Sequence, residues 1–355
     1  RWRTAPSTRP SPARRTEVHR LVTNVGPGGA AQAPPVLPLS GARPRLPASS
    51  FAAVLAALLL LVALPARAQL EALETEDLRL IYIAPAQSYL VPHVARSFEN
   101  SLRFHKKLFG YEPYEKVTVF LNDFSDFGNA GVSVLPTNFM MLQIAPVSFT
   151  YENVPANETV NWMMNHENVH VTLDDQSTKS DRFFRSIFAG KVATTREQPE
   201  SILYNFLTAP RSLSPRWYHE GAAVFLETWM AGGRGRSQSA WDEMVFRSMV
   251  RDGSRFYDPL GLVSEGTKVD FQLEANSYVY GERFETYLAW AYSPDHLIRW
   301  LARREGSKAT YSSQFRVVFG KSLPDVWQDW ISHEKEFQQK NLAGIRTYPT
   351  TPYQD

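Results

Sequence analysis

The sequence has no cysteine in its 355 residues. Disulfides, thiolate metal sites and a cysteine nucleophile are excluded together. No run of about 20 apolar residues is present, the length a helix needs to cross a bilayer. Methionine is scarce: there are seven, and the first is Met140. The glycine cluster Gly232–Gly235 is no phosphate loop, because no strand precedes it and the Gly-x-Gly-x-x-Gly spacing fails. A tight turn between helices is expected there. Internal repeats are absent. A basic body is absent too, although the net charge of +2 conceals this. Nine of the 38 basic residues and one of the 36 acids precede Gln69, which leaves 29 bases against 35 acids. A mildly acidic body argues against a nucleic-acid surface.

What is present is apolar and aromatic content, 43% and 13% of residues. That suffices for one large domain or two small ones, and excludes collagen, a coiled coil and disorder throughout. Residues 1–48 are rich in Pro, Arg, Ala and Ser. They are expected to be a disordered leader or a mis-assigned start. Residues 49–68 read as a signal peptide. Arg43 and Arg45 precede the apolar run Phe51–Leu64, and Ala66-Arg67-Ala68 follows it. A basic flank, a short apolar run and an Ala-x-Ala exit predict cleavage before Gln69. An uncleaved membrane anchor is the alternative. Residues 69–355 are then expected as one exported domain, in the periplasm or outside the cell.

Within that body, Leu78–Ala84 alternates and reads as a strand, as does Lys116–Leu121. Val132–Ile144 reads as one or two more, broken near Pro136. Tyr89–Phe109 reads as a helix, with Leu90, Val94, Phe98 and Leu102 spaced by four and Gly110 ending it. Asn157 is a candidate cap for a helix through Val171. Residues 177–214 are irregular, with amphipathic pieces at 182–192 and 200–207. The aromatic piece 182–192 is expected to pack inward, with membrane contact as the alternative. Further helices are expected at 218–230, 240–251, 281–291, 294–304, 311–319 and 323–339. Strands first and helices after predict an α+β fold, with a small mixed or antiparallel sheet and a larger helical part.

One stretch carries chemistry: His166-Glu167-Asn168-Val169-His170, an H-E-x-x-H. Positions i and i+4 share a helix face, so both imidazoles reach one metal. Glu167 stands beside them as a general base. Zinc suits such a set, since it takes nitrogen and oxygen ligands and leaves one position open. A third ligand is needed. The continuation H-x-x-G-x-x-H fails, because Leu173 and Gln176 occupy those places. The downstream helix Trp217-Tyr218-His219-Glu220-Gly221 offers Glu220 instead. His166, His170 and Glu220 form a His₂Glu set. His219 is a possible competitor for the metal, and Glu227 a supporting acid or a surface residue. Asp174-Asp175 is expected to end the metal helix.

His166–His170 together with Pro215–Glu227 resembles the gluzincin metallopeptidases, in particular bacterial peptidase-MA-like domains that precede TolB-like β-propellers. The likeness extends over Ala231–Ser237 and Tyr278–Phe284, and covers roughly 78–340. It implies a zincin-like fold, one Zn²⁺ on His166, His170 and Glu220, Glu167 as catalytic base, and a peptide or protein substrate. It also implies a β-propeller or envelope partner. Tyr278 aligns with the tyrosine that steadies the oxyanion in the aminopeptidases of this group, with Tyr280 as the alternative. The Gly-x-Met-Glu-Asn exopeptidase motif is missing, so an endopeptidase is expected. The resemblance further implies a sheet edge for pairing substrate, assigned to Val134–Ile144. Residues 177–214 are a candidate lid. Two rival readings remain open: a hydrolase of non-peptide amides, and a catalytically inactive zincin-like scaffold.

Overall fold

The computed structural model describes residues 69–146, 158–263, 276–349 and 351. All of them fall within one compact unit, Ala66–Asp355. The leader, the apolar run and Asn157 lie outside the described residues.

The sheet has five strands: β1 (Gln69–Glu74), β2 (Leu78–Ala84), β3 (Val117–Asn122), β4 (Asn129–Ser133) and β5 (Phe139–Gln143). Their order is β1-β2-β3-β5-β4. β3 runs parallel to both β2 and β5, while the outer pairs β1/β2 and β4/β5 are antiparallel. The sheet is therefore mixed. Leu78 and Leu80, with Val117, Val119 and Leu121, point to the buried face, as period-two alternation requires.

β1 was not expected. Its sequence Gln-Leu-Glu-Ala-Leu-Glu is almost wholly exposed, so no apolar alternation marks it. It is held by its backbone ladder to β2, from Gln69↔Ala84 to Glu74↔Arg79, and by the Arg79–Glu74 and Lys116–Glu74 ion pairs. The expected sheet edge also needs correction. β5 lies between β3 and β4, and the edge is β4. The chain reverses between Ser133 and Phe139, so of the expected edge segment Val134–Ile144 only β5 is strand, and β4 precedes it. β4 is the strand that lies beside the H-E-x-x-H helix.

Eleven α-helices accompany this sheet among the described residues. α1 (Val91–Phe109) buries Val94, Phe98 and Leu102 and ends at Gly110, which takes the left-handed φ of 61°. α2 (Thr159–Asp175) carries the H-E-x-x-H. Its cap is Glu158, whose carboxylate accepts from the Val160 and Asn161 amides. α2 runs four residues beyond Val171, because Asp175 accepts from the Tyr114 amide at 2.7 Å and from three side chains. Tyr111 Oη donates to it at 2.6 Å, Lys191 Nζ at 2.7 Å and Arg185 Nη1 at 3.4 Å.

Residues 177–214 fold as α3 (Lys179–Ile187), α4 (Ser201–Thr208) and a 3₁₀ turn at Pro210–Leu213. Buried Arg185 and Lys191 fasten this candidate lid to the end of α2. The inward packing expected of its aromatic piece is corrected as well: Phe183 and Ile187 face solvent, while Asp181 and Arg185 are buried.

α5 (Arg216–Met230) follows, then α6 (Ala240–Arg251), α7 (Pro259–Val263), α8 (Asn276–Ala291), α9 (Pro294–Leu301), α10 (Tyr311–Phe319) and α11 (Leu323–Ile345). α8 begins earlier than expected, α9 ends earlier and α11 runs longer. An aromatic core knits this part together. Trp217 on α5 meets Trp327 on α11 at 5.1 Å between rings and Phe284 on α8 at 6.0 Å. Burying such large rings is a major apolar contribution to this half.

Candidate metal centre

α2 supplies His166 and His170 from one face, and α5 crosses it to supply Glu220. α5 and α8 approach so closely that Gly221 lies against Gly281: a Cβ on Gly221 would come 2.5 Å from the Gly281 carbonyl carbon. The glycine after Glu220 is thus required by packing. The same crossing brings Tyr278, one turn before Gly281, to the site.

Three donor atoms converge. His166 Nε2 is 3.2 Å from His170 Nε2 and 3.2 Å from Glu220 Oε2, and His170 Nε2 is 3.4 Å from Glu220 Oε2. These residues form the one group among the described residues able to hold a metal ion. Ligands about 2.0–2.1 Å from a tetrahedral ion stand roughly 3.3 Å apart, so the observed triangle has the size of one tetrahedral face. The donor set and its spacing fit a divalent metal.

Behind His166 stands a second layer. His166 Nδ1 is 2.7 Å from Glu227 Oε2. A proton on Nδ1 donated to that carboxylate leaves Nε2 with its lone pair aimed at the triangle. Glu227 in turn accepts from Arg236, Nε at 2.8 Å and Nη2 at 2.9 Å. Arg236 Nη2 also lies 2.9 Å from His166 Nδ1, a consequence of both sharing Glu227. The Arg236 guanidinium sits over the rings of Trp162 and Tyr278, 5.2 Å from each.

These charges govern the protonation states. Burial alone would raise Glu227; Arg236 and His166 reverse this and hold it down at about 2. Burial would lower His166, but the Glu220 and Glu227 carboxylates raise it to about 9, so a metal at Nε2 would take the place of a proton there. Burial would raise Glu220, and the two imidazoles hold it well below the usual carboxylate range. Burial lifts Glu167, against the pull of His166 and His170. Burial and Glu220 push the Tyr278 phenol above its ordinary value, so it stays a donor.

The site residues read from the sequence separate into two groups here. His166, His170 and Glu220 meet. Glu167, buried next to His166 on α2, is outside the ligand triangle. Tyr278 stacks on His166 with ring centres 6.0 Å apart, and its hydroxyl is 3.4 Å from Arg216 Nη2. Tyr280 is elsewhere: its ring packs on Phe246 at 5.0 Å, and its hydroxyl accepts from the Tyr257 amide. His219 stays out of the triangle, its Nδ1 3.7 Å from Asp174 Oδ1. Two arginines went unassigned. Arg216 reaches Glu220 Oε1 at 3.3 Å, and Arg236 braces Glu227. Arg216 was legible as the i−4 neighbour of Glu220 on one helix face. Arg236 lies 70 positions from His166 and carries no local signal.

Comparison of the chain with protein-family models gives no match, and comparison with curated proteins gives none either.

Proposed function

We propose that this chain is a zinc-dependent metallopeptidase of gluzincin type, with a zincin-like fold, exported from the cell. The observation that carries the reading is the His166–His170–Glu220 triangle, with 3.2–3.4 Å edges and Glu167 beside it. Two imidazoles and one carboxylate, from i, i+4 and a crossing helix, leave a fourth tetrahedral position open.

When bound, zinc supplies a Lewis acid that polarises a carbonyl and acidifies water. The protein's own groups do the rest. Glu167 accepts a proton from the attacking water and returns it to the leaving amine. The Tyr278 hydroxyl donates to the oxyanion that develops on the scissile carbonyl. Glu227 fixes the His166 tautomer, and Arg236 keeps Glu227 ionised. β4, the edge strand among the described residues, lies beside α2 and is the strand that would pair with an extended peptide. Export rests on the apolar run Phe51–Leu64 and its Ala-x-Ala exit. A β-propeller or envelope partner follows from the family resemblance alone.

The test is a peptide-library digestion by the zinc-loaded full chain beside Glu167→Gln. Cleavage by the wild type, reduced about 10²–10⁴-fold in a Glu167→Gln chain that still holds zinc, is the expected result. Equal cleavage by the two chains would assign the activity to something else.

A further inference from the structure

The helices α3 and α4 are built inside out. On α3 the buried side chains are Asp181 and Arg185, and on α4 they are Ser201, Asn205 and Thr208. Each has a partner underneath. Arg303 Nη2 donates to Asp181 at 2.7 Å, Arg185 Nε to the Thr208 carbonyl at 2.8 Å, and Asn205 Nδ2 to the Val192 carbonyl at 2.8 Å. Ser201 Oγ accepts from the Thr195 amide, and Thr208 Oγ1 from the Val192 amide. The outer faces carry Phe183, Ile187, Ile202 and Leu203, each 55–59% exposed, and Phe206 at 36%. The helices are neighbours, with the Phe188 and Tyr204 rings 4.9 Å apart.

A surface helix ordinarily turns its apolar stripe to the core. Here that is blocked, because turning α3 over would strip buried Asp181 and Arg185 of their partners, and turning α4 over would strip Asn205 of the Val192 carbonyl. Single exposed apolar residues are unremarkable, but five on adjacent helices make a patch.

We propose that this face of α3 and α4 docks on a lipid membrane, with Phe183, Ile187, Ile202, Leu203 and Phe206 entering the boundary between headgroups and acyl chains. Three observations favour a bilayer over a protein. The five outward residues are Phe, Ile and Leu, with no polar side-chain atom among them, which suits the edge of the acyl chains. Lys179 and Arg182 on α3 and Arg196 ahead of α4 are exposed, against Glu197 and Glu200, which suits headgroups while leaving the apolar residues as the main contribution. The chain also carries the apolar run Phe51–Leu64, which ends just before β1 and on the export reading brings the protein to a membrane. The inference uses the export reading for that last point and is independent of the peptidase reading.

The lack of cysteine makes the test local. Ile187→Cys in the full chain is labelled with an environment-sensitive dye and mixed with phosphatidylcholine vesicles, with and without phosphatidylglycerol. The expected result is a blue-shifted emission, several-fold brighter and quenched by nitroxide-bearing lipid. The same dye at Lys340→Cys, on the exposed side of α11, stays unchanged. Adding Phe183→Ser and Leu203→Ser to the labelled chain weakens the response at least tenfold, since each residue loses more than about 1.4 kcal/mol of transfer. An unchanged signal at position 187 overturns the proposal, even when the chain floats with vesicles through its apolar run. A signal that instead follows protein concentration without vesicles, with a doubled particle mass, overturns it in favour of a second copy.

Discussion

Gly221 and Gly281 face each other where α5 crosses α8, with no room for a side chain on either. A Cβ on Gly281 would come 2.2 Å from the Trp217 carbonyl oxygen. This contact sets how Glu220 and Tyr278, on the same two helices, stand relative to His166. Gly221→Ala and Gly281→Ala are each expected to cost roughly 2–3 kcal/mol, the upper part of the overpacking range. Urea unfolding measures this, and metal affinity falls with it. Gly344→Ala, where nothing stands within 4 Å and the backbone is helical, is the clash-free control and should not destabilise.

Glu227 and Arg236 act through His166 rather than on substrate. Glu227→Ala is expected to weaken metal binding about 10–100-fold, as for other partners of metal-bound histidines. Arg236→Ala has the smaller effect, and Arg236→Lys restores part of it. Chelator competition followed by fluorescence gives the affinities. An unchanged affinity in Glu227→Ala would remove the tautomer argument.

Tyr278→Phe removes the hydroxyl and little else. Loss of an oxyanion donor costs about 10²–10³ in kcat. Tyr280→Phe, in the aromatic core, is expected to leave kcat unchanged. Steady-state kinetics on one cleaved peptide distinguishes the two; a reversed pattern would reassign the role.

His105 is fully buried on α1, edge-on to Phe104 and stacked on Phe109. Burial depresses its pKa from 6.5 to about 3. Between those values the unfolded chain binds a proton that the folded chain does not, so stability falls as pH falls from 6.5 towards 3. Denaturation at pH 7 and pH 4.5 should show this loss reduced in His105→Leu by about 2–3 kcal/mol relative to wild type.

The legible parts of the molecule were those with local signals. α1 followed from apolar residues spaced by four and a terminal glycine, and α10 from its boundaries at Tyr311 and Phe319. The ligand pair on α2 followed from i, i+4 spacing, and Glu220 from its neighbours. β1 was invisible because its side chains face water and its stability lies in a backbone ladder. The edge position of β4 depends on pairing order, which alternation does not encode. On α3, amphipathicity revealed two faces but not which one points inward. That choice was made by Asp175 and Arg303, which meet Arg185 and Asp181 from distant parts of the chain. Arg236 was hidden for the same reason: only tertiary structure brings it to Glu227.

The most direct test of the central claim is metal content by mass spectrometry on the purified protein, wild type beside His166→Ala and Glu220→Ala. One zinc per wild-type chain, lost in both variants while their folds persist by circular dichroism, is the predicted result. A folded wild type that takes up no zinc after metal reconstitution would contradict the account.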